Sequence, residues 1–238
     1  MRTRFQAETQ KTIAQIFDHL DYETLAAIYC NEGGEEFWKD RREPCRTLGI
    51  RLAEVLRTRL QRSGRSLYVG AGVAEIPLLV METLELDRQV SAFNLRTEEV
   101  AVVNAACKAL PFQISAGDVS AARGTFDHLW IVSVLNDPER FPELSALSYG
   151  RANPATFDPN TFAQERKGVV ALADACLKKL TRPGLVTTSV EEIPWITDWC
   201  ERKQIEYVME EEDYPTAIVG DPICFIKLGK NIRAKKSR

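Results

Sequence analysis

The chain has 238 residues, 45% of them hydrophobic and 27% charged, with a formal net charge of −3. That balance excludes global disorder, and the longest apolar runs fall short of the roughly 18 residues a membrane span needs. The length predicts one domain, or one domain plus a helical extension. The first ten residues hold no apolar signal core, so the chain reads as cytoplasmic. Cys30, Cys45, Cys107, Cys176, Cys200 and Cys224 form no CxxC pair and read as reduced thiols. With only His19 and His128 besides, no metal site is expected. Five basic residues (Lys230, Arg233, Lys235, Lys236 and Arg238) crowd the end of the chain. The remainder holds 26 basic against 34 acidic residues, a net of −8. An acidic body argues against a nucleic-acid partner and for a small-molecule one, and the tail reads as a solvated end.

The first 64 residues read as helices. Ile13, Ile16, Phe17 and Leu20 repeat at the spacing of one helix face. A second helix is expected over 22–29, ended by Gly33-Gly34, and a third from about Pro44 to Leu60. The third stripes Leu48, Leu52, Val55 and Leu56 on one face. Arg46, Arg51, Arg57, Arg59 and Arg62 lie on the other and read as solvated charge. From Ser66 short apolar runs alternate with helical periods, the pattern of a parallel sheet with crossover helices. Strands are expected at 66–69, 89–93, 112–115, 128–134 and 185–190, with helices at 75–84, 98–109 and 160–180. Asp158 is placed to cap the last of these helices, and Pro159 sits in its first turn. After a short helix over 194–203, strands at 205–209 and 223–228 lie too close for a helical crossover. They are expected to pair antiparallel.

The central motif is Gly70-Ala71-Gly72 between a predicted strand and a predicted helix. Glycine permits a tight turn and a close approach of the backbone to a ligand. A dinucleotide fingerprint would need a third glycine where Glu75 stands. A carboxylate there would repel a pyrophosphate, so a cofactor without phosphates fits better than NAD or FAD. Asn94, at the end of the second strand, stands where nucleoside-binding folds carry an acid for the ribose. Asp118 follows the third strand and reads either as a ligand contact or as a turn cap.

Gly70-Ala71-Gly72, Gly117-Asp118-Val119, Thr125-Phe126-Asp127 before the fourth strand and Leu180-Thr181-Arg182-Pro183-Gly184 before the fifth occur in one order and spacing. Together with the terminal hairpin, over roughly residues 66–228, they resemble the class I, Rossmann-like S-adenosylmethionine-dependent methyltransferases. The resemblance implies an open α/β sheet, mostly parallel with an antiparallel C-terminal strand, over 65–230. It is preceded by a helical extension over 1–64 that could act as a lid and followed by a basic tail over 231–238. It implies S-adenosylmethionine as cofactor, with Tyr68, Gly70, Ala71, Gly72, Asn94, Asp118, Val119 and Ser133 as its contacts. The family usually has acids where Tyr68 and Asn94 stand. A weakly binding or non-catalytic protein on the same fold therefore stays open, as do transfer of the cofactor's aminocarboxypropyl arm and a homodimer.

Methyl transfer needs alignment and a dry pocket more than a catalytic triad. Ser133, Asn136 and Asp137 end the fourth strand on the side where such folds bind ligands. They are candidates for meeting the methyl acceptor or the cofactor's amino end, and read equally as turn and cap residues around Asn136-Asp137-Pro138. Tyr149 lies in the loop of about twenty residues that follows, a length that is usually functional or disordered. Tyr22, Tyr29 and Trp38 read as a facing wall or as helix packing. His128 begins the fourth strand at the wrong end for chemistry and reads as structural or surface. His19, off its helix's apolar stripe, reads as facing solvent.

Overall fold

The computed structural model of the chain describes residues 5–218 and 220–229; the tail expected at 231–238 lies outside them. Met1–Arg123 together with Tyr214–Gly220 form one compact unit, and the rest forms a second.

The first unit opens with α1 (Ala7–His19), which buries Ile13, Ile16 and Phe17 and leaves His19 exposed. Next comes α2 (Tyr22–Ile28), capped by the Asp21 side chain accepting from Thr24 N–H. A 3-10 turn over Cys30–Glu32 and the pair Gly33-Gly34 lead into α3 (Glu35–Arg57). This helix begins well before the expected Pro44. Proline inside a helix removes a hydrogen bond and costs about 3 kcal/mol, but the turns ahead of it are anchored by rings. Trp38 is 2% exposed. Tyr29 stacks on Phe37 at 5.1 Å, and Trp38 meets both edge-on at 5.0 and 5.3 Å. Tyr22, Tyr29 and Trp38 are thus packing residues. The arginine face departs from the solvated reading only in part, since Arg51 and Arg62 are exposed as expected. Arg57 is 14% exposed and pairs with Glu85 at 2.6 Å, Arg62 donates to Glu85 C=O, and Arg59 donates to Tyr214 Oη.

β1 (Arg65–Val69) lies parallel to β2 (Gln89–Asn94), and β2 parallel to β3 (Ile114–Ala116). Between β1 and β2 a 3-10 turn over Val73–Glu75 runs into α4 (Ile76–Val80) and a π turn over Met81–Glu85. The π turn carries Glu82 to β1. There its carboxylate accepts from Tyr68 Oη at 2.6 Å and from Ser66 Oγ, and pairs with Arg88 Nε at 2.9 Å. The side chains of Glu82 and Arg88 are wholly buried. Between β2 and β3 lies α5 (Thr97–Ala106). Its Asn104 side chain donates to Ile114 C=O and accepts from Ile114 N–H, both at 2.8 Å. That clamp sits where β3 begins, two residues later than expected.

The second unit starts with β4 (Phe126–Ile131). It stops short of the expected Val134 because Ser133 is left-handed, with φ 56°. The loop that follows contains α6 (Pro142–Ser148), whose Leu144 N–H donates to Glu165 of α7 (Pro159–Leu177) at 2.8 Å. Asp158 caps α7 as expected. β5 (Leu180–Ser189) is longer than expected and takes in the Leu180–Gly184 turn. A Cβ on Gly184 would stand 2.4 Å from Thr181 C=O, so only glycine fits there. α8 (Ile193–Arg202) leads to β6 (Tyr207–Met209) and β7 (Ile223–Leu228), which pair antiparallel as expected. β4 and β5 are parallel, and β7 is antiparallel to β5. His128 is buried and bonded to Thr187 Oγ1 at 3.0 Å, a structural residue.

The strand order is β3-β2-β1 in the first unit and β4-β5-β7-β6 in the second, and the pairings are mostly parallel within an α/β arrangement. Among the described residues every cysteine is a free thiol, only Cys30 is exposed, and no group of three metal-ligating side chains occurs. No described helix is long and apolar enough to cross a membrane.

Candidate functional site

In the first unit β1 runs into Gly70-Ala71-Gly72. Gly70 has φ 77°, a conformation that favours glycine. Gly72 is crowded for another reason: a Cβ there would stand 2.4 Å from Glu99 Oε1, so the carboxylate would have to shift. The N–H groups of Gly70 and Ala71 both donate to Phe93 C=O, at 2.8 and 3.0 Å. Gly72 N–H donates to Glu75 Oε2 at 2.8 Å, and Val73 N–H to Glu99 Oε1 at 3.3 Å. All four amides of the turn have acceptors within the chain, and two of those acceptors are carboxylates. A phosphate cradle needs the reverse, amides pointing outward in a positive field. The expectation drawn from Glu75 therefore has a geometric basis.

Glu99 is 2% exposed. It accepts from Tyr29 Oη at 3.1 Å, and Asn94 Nδ2 lies 3.5 Å away. Burial raises its pKa above the ordinary 4.5, with the Val73 N–H pulling the other way. The Tyr29 phenol is raised by burial and by the Glu99 charge, while Arg96 lies over its ring at 4.8 Å. α2 is thereby tied to the glycine turn.

The other expected cofactor residues of this unit take distinct places. Asn94 braces the turn: Nδ2 donates to Ala71 C=O at 2.8 Å, and Oδ1 accepts from Arg96 N–H at 2.9 Å. Asp118 is exposed and caps the short turn Val119–Ala121 by accepting from Ser120 N–H, while Val119 is buried. The Tyr68 hydroxyl points into the Ser66–Glu82–Arg88 cluster. It joins β1 to the π turn.

In the second unit the residues after β4 form a tight, carboxylate-held turn. Ser133, Val134 and Leu135 all donate their N–H groups to Glu192, at 3.0, 2.6 and 2.5 Å. Glu192 is fully buried and also accepts from Thr188 Oγ1, Ser189 Oγ and Ser189 N–H. Burial raises its pKa, opposed first by the Leu135 N–H. Asn136 is 2% exposed and its Oδ1 accepts from Trp195 Nε1 at 3.3 Å. Its Nδ2 and the Ser133 Oγ are buried without a hydrogen-bond partner among the described residues. Asp137 accepts from Glu139 N–H at 2.9 Å. Tyr149 lies elsewhere in this unit: its hydroxyl donates to Asp221, and burial, then that bond, raise its pKa.

Sequence reasoning missed both organising carboxylates. Glu99 falls in helical step with Val102 and Val103, so a charge on an apolar stripe was the available signal. Glu192 closes the Ser-x-x-Glu pattern that begins at Ser189, a capping box directly after a strand. A cavity of about 320 Å³ between α1 and α3 is lined by Phe17, Asp18, Arg42, Glu43 and Arg46 among others. Its charges close on each other, Arg42 on Asp18 and Arg46 on Glu43.

No protein-family model matches the chain, and no curated protein matches it in sequence. Solved structures do match. Magnesium protoporphyrin IX methyltransferase from Synechocystis PCC 6803, solved with bound SAM, is similar over 87% of this chain and 97% of its own, at 12% identity and a TM-score of 0.50. A methyltransferase from Pyrococcus furiosus matches 77% of this chain and 83% of its own, at 15% identity and a TM-score of 0.47. The first of these, at the higher score, carries the assignment of the fold. The chain has the Rossmann-like, class I methyltransferase fold.

Proposed function

We propose that the chain is an S-adenosylmethionine-dependent methyltransferase acting on a small-molecule acceptor. One observation carries the reading beyond the fold. The turn after β1 has its amides engaged internally and two carboxylates, Glu75 and Glu99, at the helix start. That chemistry suits a nucleoside cofactor that lacks phosphates and carries positive charge, and it opposes a dinucleotide. Gly70, Ala71 and Gly72 would bear on the nucleoside end, with Asp118 and Val119 beside them. Asn94 and Glu99 would hold the turn in shape. S-adenosylmethionine, when bound, supplies an activated methyl group. The chain's residues bind, orient and exclude water. The acidic body favours a small acceptor over a polynucleotide.

Product analysis tests this. Incubation with S-adenosylmethionine and a panel of small oxygen and nitrogen nucleophiles is expected to release S-adenosylhomocysteine and a methylated product. Release of methylthioadenosine instead would assign transfer of the amino-acid arm. Binding without any product would assign a non-catalytic protein on this fold.

A further inference from the structure

We propose that Asn136 and Ser133 form a donor pair that recognises a carbonyl or carboxylate oxygen on the methyl-accepting substrate. The inference rests on the methyltransferase reading for the identity of the substrate, while the two unpartnered atoms are seen in the structure itself. Buried polar side-chain atoms nearly always have a partner, and leaving one without costs about 1–3 kcal/mol. Here two lie on one turn, Asn136 Nδ2 and Ser133 Oγ.

The polarity of the asparagine is decided by its neighbour. An indole N–H can only donate. Trp195 Nε1 is 3.3 Å from the Asn136 side chain, so the amide oxygen must face Trp195 and the NH2 must face away. Asn136 therefore presents donors. A protonated amine brought to it would set N–H against N–H, whereas an oxygen lone pair completes it. The pair is also fixed in place. The backbone of residues 133–135 is fastened by three N–H groups on the buried Glu192 carboxylate. Ser133 is held at φ 56°, a conformation a serine adopts only when its surroundings impose it. Rigid placement of unpartnered donors is what a recognition site requires. Glu192 is thus a positioning residue for the pair.

The test uses the full chain labelled with 15N, and follows the Asn136 side-chain NH2 resonances, assigned by their loss in Asn136→Asp. Three probes of similar shape are titrated, benzoate, benzamide and benzylamine, each with and without S-adenosylhomocysteine. Benzoate and benzamide are expected to shift the pair, and benzylamine to leave it unmoved. Asn136→Asp, which replaces a donor by a like charge, is expected to weaken benzoate about tenfold or more. Trp195→Phe releases the amide to turn over, so the preference for benzoate over benzylamine is expected to shrink. A merely structural asparagine would not produce that change. The proposal is overturned if no probe shifts the resonances, if benzylamine shifts them as strongly, or if both variants keep wild-type selectivity. If S-adenosylhomocysteine gives no binding heat while benzoate still shifts the pair, the methyltransferase reading falls and the donor pair stands.

Discussion

The turns that follow β1 and β4 are each held by a buried carboxylate. In each case the carboxylate follows the neighbouring parallel strand: Glu99 comes after β2, and Glu192 after β5. The outcomes differ. After β1, the glycine turn's amides are all engaged within the chain, and Asn94 is bonded through both ends of its amide. After β4, the backbone is engaged but Ser133 Oγ and Asn136 Nδ2 are left over. A turn with no spare donors can discriminate by shape and charge. A turn with spare, rigid donors can discriminate by hydrogen bonding. The same fastening device thus leaves one turn without spare donors and the other with two.

The comparison breaks most readily at Glu192. Glu192→Ala removes the acceptor of four backbone N–H groups and is expected to lower unfolding free energy by about 3–5 kcal/mol. Urea denaturation measures this, and a loss below about 1 kcal/mol would contradict the fastening role. Glu82→Gln leaves the buried Arg88 guanidinium uncompensated and is expected to cost about 3 kcal/mol. It should leave S-adenosylhomocysteine affinity unchanged, because Tyr68 and Glu82 lie in a structural cluster. A large affinity loss at unchanged stability would return Tyr68 to the site. Gly72→Ala pushes a methyl into Glu99 and is expected to cost about 1–3 kcal/mol in a melt. Tyr29→Phe removes one bond to Glu99 and is expected to cost about 1 kcal/mol.

The smallest effect is a pH dependence. The folded-state pKa of Glu99 is raised above 4.5, so the folded state holds its proton more tightly than the unfolded state does. The stabilisation is complete below 4.5 and is lost as pH rises through the raised value. Glu99→Gln carries no such proton. Its stability relative to wild type should therefore improve as pH climbs from 4.5 toward neutrality. A flat difference across that range would show that Glu99 is not desolvated.

Much of the fold was legible because strand and helix periods are local. Gly70-Ala71-Gly72 could be placed between β1 and a helix, and Asp158 could be named as a cap. What stayed hidden depends on contacts distant in sequence. Glu99 reads like its neighbour Glu98 until Tyr29 and Val73 are seen closing on it. Arg57 reads as solvated until Glu85 meets it. β4 reads as running to Val134, because nothing in Ile131-Val132-Ser133-Val134 announces a left-handed serine; that backbone goes with the carboxylate of Glu192. At the site, Ser133 and Asn136 were named from their place on the sheet. That Asn136 turns its NH2 away from Trp195, and that Ser133 Oγ is left without a partner, shows only in the folded chain.

Calorimetric titration of S-adenosylhomocysteine into the wild-type chain and into Gly72→Ala tests the central claim most directly. Saturable binding heat is expected for the wild type, weakened tenfold or more by the added methyl, about the effect of displacing Glu99 from the turn. No heat at millimolar ligand, or equal affinity in the two proteins, would contradict the assignment of the glycine turn to an S-adenosylmethionine cofactor.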